Sequence, residues 1–280
     1  MRFLQLNVQK QRNVQHSLMN DANLKDFTAL IVSEPYVFEM GGKAATVSMG
    51  HQVWTAIVPS ARRGGKWAVR SMLWVRRDIE CEHVTMPSAD RTVALLRLPD
   101  RSVLVASWYV NGGNVAPLNG TMKPLNEAIR IAGRRGGPRL DVVVAGDFNR
   151  NDQLWAGDEV LPHRQGEADP IIDFTGEWGL ESLLPRGTKT WQDSRYTSMI
   201  ALMLASRNSQ RALRSEKFTA RSTSLTTVQS KQRSTSMSQS TSSSHDCCSR
   251  MRPGRRYENV PLMRFRFALR AVAFRCRPTV

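Results

Sequence analysis

Paired cysteines are missing from this chain. Its four, Cys81, Cys247, Cys248 and Cys276, have neither the spacing of a zinc site nor that of a disulfide framework, and the adjacent pair could hardly chelate one metal together. A reduced, intracellular chain is expected. No apolar run approaches the roughly 18 residues needed to span a bilayer, and Met1 leads into a strand-like segment rather than a signal peptide, so no membrane role is expected. Acidic residues are scarce, but mainly in one part. Residues 1–206 carry 24 basic and 21 acidic side chains, a balance of +3, whereas residues 207–280 carry 16 and 3, a balance of +13. The overall charge of +16 therefore belongs mostly to the tail and does not argue for a nucleic-acid-binding face on the rest.

What is present centres on residues 141–149, Asp-Val-Val-Val-Ala-Gly-Asp-Phe-Asn. A run of β-branched residues suits a strand covered on both faces, and Gly146 allows a sharp turn or a close approach. Asp147 and Asn149 then fall at the carboxyl end of the strand, where open α/β sheets place their chemistry. Two residues apart in extended chain, they point the same way. An Asx-turn that merely ends the strand explains the same residues equally well at this point.

Before this stretch, residues 2–9 alternate as a strand ending near Asn7, residues 14–26 have helical spacing, and Ala29 to Ser33 form a short apolar strand that stops at Glu34-Pro35. Segments 52–58, 66–75, 79–85, 92–98 and 102–110 are strand-like and closely spaced, which predicts antiparallel hairpins. Gly64-Gly65-Lys66 lacks the earlier glycine and the following hydroxyl of a phosphate loop and reads as a turn. Residues 121–133 are helical by pattern, with Leu125, Ala128, Ile129 and Ala132 on one face. Ile171 to Trp178 suggest a short helix closing at Gly179, residues 189–191 begin a strand-like piece, and 198–206 fit either a strand or a buried helix. The mixture predicts an α/β fold of two packed sheets with helices outside. Residues 222–249 are mostly Ser, Thr, Gln and Lys and are expected to be disordered, since they cannot bury enough surface to offset their ordering entropy. Residues 257–275 regain apolar character without domain-like organisation.

Polar groups of one chemical character cap four strand-like segments: Asn7, Glu34, Tyr109 with Asn111, and Asp147 with Asn149. Gathered at one rim they would form a shallow oxygen-rich site. Mg²⁺ wants a few hard oxygens and keeps several waters, so one Glu and a neighbouring amide can anchor it. Phosphodiester hydrolysis needs an aligned water and donors for the charge on the phosphoryl oxygens, which an Asp, an Asn and a Tyr hydroxyl supply.

The segments Leu-Asn-Val-Gln at 6–9, Ser-Glu-Pro-Tyr at 33–36, Ser-Trp-Tyr-Val at 107–110 and Gly-Asp-Phe-Asn at 146–149 resemble the endonuclease/exonuclease/phosphatase superfamily. With Gly-Thr-Lys-Thr-Trp at 187–191 and the apolar run at 200–206, the chain resembles the apurinic-type endonuclease domain of a non-LTR retrotransposon. The resemblance covers residues 1–206 and implies a DNase I-like α/β sandwich, an Mg²⁺- or Mn²⁺-dependent endonuclease, DNA as substrate and a nuclear location. It implies that Glu34 binds the metal with Asn7 beside it, and that Asp147 positions or deprotonates the attacking water. Asn149 and Tyr109 would hold the phosphate, and Thr190 would lie near the DNA backbone. For Tyr109 and Thr190, packing or a strand-edge hydrogen bond is the competing explanation. A phosphomonoesterase or a sphingomyelinase-like enzyme is the alternative within the superfamily. A noncatalytic relic that binds nucleic acid through its basic tail is the alternative outside it.

The chain departs from the family pattern twice. Ala201 stands where the family has the carboxylate of Ile-Asp-Leu, and the closing Ser-Asp-His on a last core strand is absent. The Asp orients a histidine, and disabling the acid of an Asp-His pair in another hydrolase costs roughly 10⁴ in rate. His245-Asp246 has the reverse order and lies in the polar tract. Codons permitted for residues 218–228 allow an alternative frame that contains Ser-Asp-His, so an out-of-frame reading beginning before Ser215 is expected to account for the tail. The expectation is an incomplete domain that lacks its last core strand.

Overall fold

A computed structural model describes residues 1–40, 43–46, 51–63, 69–112, 116–137, 139–158, 160–161, 164, 166–192, 197–198, 200–206 and 272–275. The turn reading of Gly64 to Lys66 and the disorder expected of residues 222–249 both fall outside the described residues.

The alternating segment at the start forms β1, Arg2–Asn7, and the helical pattern after it forms α1, Arg12–Asn20. α1 ends earlier than its spacing suggests. At Asp21 the chain turns extended, and the Asp21 carboxylate accepts from the Asn23 N–H to open a short 3₁₀ turn, Ala22–Leu24. β2, Ala29–Ser33, then lies parallel to β1, with Asn7 opposite Ser33. α1 is thus the crossover between two parallel strands, and both strands end at the same rim.

A hairpin of β3, Val37–Met40, and β4, Lys43–Thr46, follows; the sequence pattern did not announce it. β5, Trp54–Ile57, and β6, Ser71–Arg76, complete the first sheet on the far side of β2. The second sheet begins with the expected hairpins, β7 at Glu80–Val84, β8 at Arg91–Arg97 and β9 at Ser102–Tyr109. α2, Ala116–Gly136, carries the chain over to β10, Leu140–Asp147, parallel to β9 with Tyr109 opposite Asp147. Pro124 sits inside α2, which starts a turn earlier than the apolar spacing predicted.

α3, Gln153–Ala156, and α4, Asp169–Trp178, come next. α4 ends as expected, with Gly179 in the left-handed conformation that lacks a Cβ penalty. β11 is Leu180–Ser182, β12 Trp191–Gln192 and β13 Thr197–Ser198. The ambiguous run resolves as a strand, β14, Ala201–Ser206, between β11 and β10. On the side of β10 away from β9, it pairs with Val143 to Asp147, which gives that buried backbone its partners.

The layers explain the sequence patterns. Val143 and Ala145 of β10 face Ala29, Ile31, Leu73 and Val75 of the first sheet, forming the core between sheets. Val142 and Val144 face outward onto Leu125, Ala128, Ile129 and Ala132 of α2 and onto Phe174 of α4. Leu30 and Val32 of β2 face outward onto Leu18 and Met19 of α1. Both faces of each central strand are covered, which is why those strands read as unbroken apolar runs.

One strand comes from the part of the chain in which the sequence showed no domain-like organisation. β15, Val272–Arg275, pairs antiparallel with β1 and becomes the outer strand of the first sheet. It supplies backbone partners to β1, but its residues are Val-Ala-Phe-Arg, with no Asp or His. The sheet is extended without the side chains whose absence the sequence revealed.

Candidate active site

The parallel pairs β1/β2 and β9/β10 finish at one end of the sandwich, and the last residues of all four carry the polar groups. Below them the two sheets are joined by buried hydroxyls. Ser71 and Thr92 lie 2.9 Å apart across the interlayer, and the Ser107 hydroxyl donates to the Val32 carbonyl at 3.3 Å. These bonds set the spacing of the sheets just beneath the rim.

Asp147 is the best-buried member of the rim, only 3% exposed. Its carboxylate accepts from the side-chain amide of Asn7, a bond that spans the two sheets. The Asn7 carbonyl oxygen in turn accepts from the Gln9 N–H at 2.7 Å, which fixes the amide orientation. Burial and the nearby negative charge of Glu34 raise the proton affinity of Asp147 to a pKa of about 7, against the donation from Asn7, which lowers it. Glu34 and Asp147 therefore feel one another's charge across the site.

Glu34 reaches this position by a left-handed turn, φ 47°, immediately after β2. A non-glycine residue in that region is strained by about 1 kcal/mol or more and needs external support. Support comes from both sides: the Glu34 N–H donates to the Arg70 carbonyl at 2.9 Å, and its carbonyl accepts from the Lys10 N–H at 2.8 Å. Pro35 follows and holds the chain out of the helical region.

Tyr109 lies between. Its hydroxyl interacts with the Glu34 carboxylate, and burial, then the charges of Glu34 and Asp147, push its proton affinity up while Arg70 opposes them. The Arg70 guanidinium carbon sits 4.3 Å from the centre of the Tyr109 ring. Arg70 also makes a two-pronged bond to Asp90, at 2.8 and 2.9 Å. Neither Arg70 nor Asp90 was singled out from sequence, although an arginine embedded in an apolar strand segment was a usable signal.

Asn149 has φ 50°, which Asn tolerates better than most residues. Its side-chain amide donates to the Val110 carbonyl at 2.8 Å, tying the ends of β9 and β10 together. Asn111 is exposed beside them. The Thr190 hydroxyl oxygen accepts from the N–H groups of Ile200 and Ala201 at 3.0 and 3.1 Å. The strand-edge explanation describes Thr190 as placed. It anchors the start of β14, whose Ile200 carbonyl accepts from the Phe148 and Asn149 amides. Arg150, almost fully buried, donates to the carbonyls of Asn149 and Gly112 and stiffens the same loop.

Gly146 is required by close approach. At φ 149° a Cβ there would lie 1.8 Å from the Trp108 carbonyl oxygen. Only glycine lets β10 pass β9 at this level and present Asp147.

The donors present are hard oxygens: the Glu34 carboxylate, the Asp147 carboxylate opposite it and the Asn7 amide. Among the described residues no group of three or more His, Cys, Asp and Glu side chains gathers as a metal cage. Two carboxylates that repel across a small gap, with an amide beside them, do suit a hydrated divalent cation that keeps most of its waters, as Mg²⁺ does.

A two-sheet α/β sandwich with helices on its outer faces and a carboxylate-rich rim is the architecture of DNase I-like phosphoesterases. Residues 103–227 match the family described as endonuclease-reverse transcriptase. The endonuclease domain of TRAS1, a telomere-specific non-LTR retrotransposon, superposes with a TM-score of 0.63 at 15% identity, covering 100% of this chain and 99% of that one. An AP endonuclease from Leishmania major gives 0.56 at 10% identity, covering 76% and 80%. The 3′ phosphatase NExo from Neisseria, bound to a product DNA hairpin, gives 0.54 at 15%, covering 99% of each chain. No curated protein matches the sequence. The fold is thus the DNase I-like one, and residues 103–227 carry the match to the endonuclease-reverse transcriptase family.

Proposed function

We propose that this chain is the DNA-nicking endonuclease module of a non-LTR retrotransposon, a metal-dependent phosphodiester hydrolase impaired in this copy. The reading rests on one observation: Asn7, Glu34, Tyr109 and Asp147, far apart in sequence, meet across both sheets at one rim. The family match and the similarity to a retrotransposon endonuclease support the same class. The domain is taken as residues 1–206, to whose first sheet β15 adds an outer strand, with 207–280 otherwise a basic tail translated out of frame.

Glu34, with the Asn7 amide beside it, would hold Mg²⁺ or Mn²⁺. Bound there, the cation would supply charge stabilisation for a phosphoryl oxygen. Asp147 has a proton affinity near neutrality, suited to taking a proton from an attacking water. The Tyr109 hydroxyl is a neutral donor at the rim, placed to hold a non-bridging phosphate oxygen. Asn149 fixes the loop that carries it. Thr190 contributes by setting β14 rather than by touching the scissile bond.

Impairment follows from what the rim lacks. Ala201 lies directly opposite Asp147 in the β10/β14 register and offers no carboxylate, and β15 brings no histidine. Neither of these two positions supplies the Asp-His pair that would protonate a leaving oxygen.

Two measurements test this. Mn²⁺ binding to the full chain, followed by electron paramagnetic resonance, should be lost in Glu34→Ala; binding that survives refutes the metal assignment. Nicking of supercoiled plasmid with Mg²⁺ should be at or near background, and turnover abolished by Glu34→Ala would refute the impairment. The alternative of a noncatalytic nucleic-acid-binding relic is favoured by the 16 basic against 3 acidic residues after 206. Salt-dependent DNA binding that disappears when residues 207–280 are removed would favour it.

A further inference from the structure

Arg70 is 7% exposed, an unusual place for a guanidinium, and its side chain packs against Tyr109. Its Nε and Nη2 donate to the two carboxylate oxygens of Asp90 at 2.8 and 2.9 Å, the two-pronged geometry that only arginine provides. The Asp90 carbonyl accepts from the Tyr109 N–H at 2.9 Å, so Asp90 grips the tyrosine by its backbone and the arginine by its side chain. The guanidinium then lies against the Tyr109 ring, 4.3 Å from its centre. Finally, the Arg70 backbone carbonyl receives the N–H of strained Glu34. One residue of the first sheet thus holds both Tyr109, on the second sheet, and Glu34, on its own.

We propose that Arg70, anchored by Asp90, is the positioning residue of this site, holding the Tyr109 hydroxyl over the Glu34 carboxylate so that it meets a phosphate oxygen as a fixed, neutral donor. The inference rests on the phosphodiesterase reading for the identity of the substrate and on geometry alone for the coupling. A buried cation packed on a ring restricts the ring's tilt, since the face of the ring carries the attractive charge. A lysine has the charge but not the planar fork, so it can hold Asp90 or the ring and not both.

The coupling can be read without turnover. The full chain is labelled with 3-fluorotyrosine, and the ¹⁹F resonance absent from Tyr109→Phe is assigned to Tyr109. In Arg70→Met that line should broaden as the ring loses its clamp. Arg70→Lys should not restore the line width, and Asp90→Asn should broaden the line with the arginine still present. An unchanged line width in Arg70→Met, with circular dichroism showing the fold intact, overturns the proposal. If Arg70→Met unfolds, Asp90→Asn carries the test, and an unchanged line there overturns it equally. Should Mg²⁺-dependent nicking be measurable, kcat is expected to fall about tenfold or more in Arg70→Met with KM changed by less than about twofold. A line that broadens in Arg70→Met while Glu34→Ala leaves metal binding intact would refute the site's assigned chemistry and leave the positioning role standing.

Discussion

Asp147 should make the protein less stable as pH rises towards neutrality. Its folded-state pKa of about 7 lies above the ordinary 3.8, raised by burial and then by Glu34. Between those values the unfolded chain releases a proton that the folded chain keeps, so the unfolded state binds fewer protons and stability falls with increasing pH. The fall begins near pH 4, continues to about pH 7 and stops once both states are ionised. At about 1.4 kcal/mol per unit, the separation corresponds to a ceiling of about 4 kcal/mol. Asp147→Asn keeps the shape and removes the proton. Near pH 4 the two proteins should differ little; near pH 8 the asparagine protein should be the more stable by up to that ceiling.

Urea unfolding of both proteins at several pH values between 4 and 8 measures this directly, because the histidines and the carboxylates other than Glu34, which is coupled to Asp147, are common to both and cancel in the difference. A difference that stays flat within about 0.5 kcal/mol would refute the buried-carboxylate argument, and with it the case for Asp147 as a base poised near neutrality. Addition of Mg²⁺ at pH 7 should narrow the gap, since a cation beside Glu34 removes part of the charge that opposes ionisation of Asp147.

Gly146→Ala should cost more than about 4 kcal/mol or prevent folding, measured by urea denaturation or soluble yield, because its Cβ would lie 1.8 Å from backbone oxygen that cannot move without breaking the β9/β10 ladder. Thr190→Val should cost about 1–3 kcal/mol, since two amides lose their acceptor, and Thr190→Ser should recover most of it; equal stability of all three would refute the strand-anchoring role. Removing residues 272–280 should raise hydrogen exchange in residues 2–5 and promote self-association, as the edge of β1 loses its partner.

The sequence made the strand ends legible because each change there is abrupt: Val144-Ala145 to Asp147, Val32-Ser33 to Glu34. A carboxylate at the end of a run buried on both faces has few structural excuses. The helices α2 and α4 were legible from their apolar stripes and, for α4, from Gly179. The Arg70 and Asp90 pair was not, since the two are separated by β6 and β7 and meet only when the sheets stack. Glu34's backbone strain was equally hidden, because nothing in Ser-Glu-Pro specifies a left-handed residue; the Arg70 carbonyl and the Lys10 amide do. β15 was invisible for a different reason. Four residues of ordinary composition carry no register information, and what recruits them is the unpaired edge of β1 rather than any pattern of their own.

The geometry around Ala201 bears on whether one reversion could repair the site. Residues directly opposite in an antiparallel pair have side chains on the same face, about 5 Å apart at Cβ. Ala201 is opposite Asp147, which already carries a raised proton affinity from burial and from Glu34. Placing a carboxylate there without a histidine for it to orient adds a third acid to the same small volume. The prediction is that Ala201→Asp alone leaves plasmid nicking at background and lowers stability above about pH 7, where the added charge can be neither paired nor hydrated. Turnover restored by that single change would refute this argument and show that Asp147 works without a histidine. Recovery only when a Ser-Asp-His strand also replaces β15 beside β1 would assign the proposed impairment to the missing histidine rather than to Ala201.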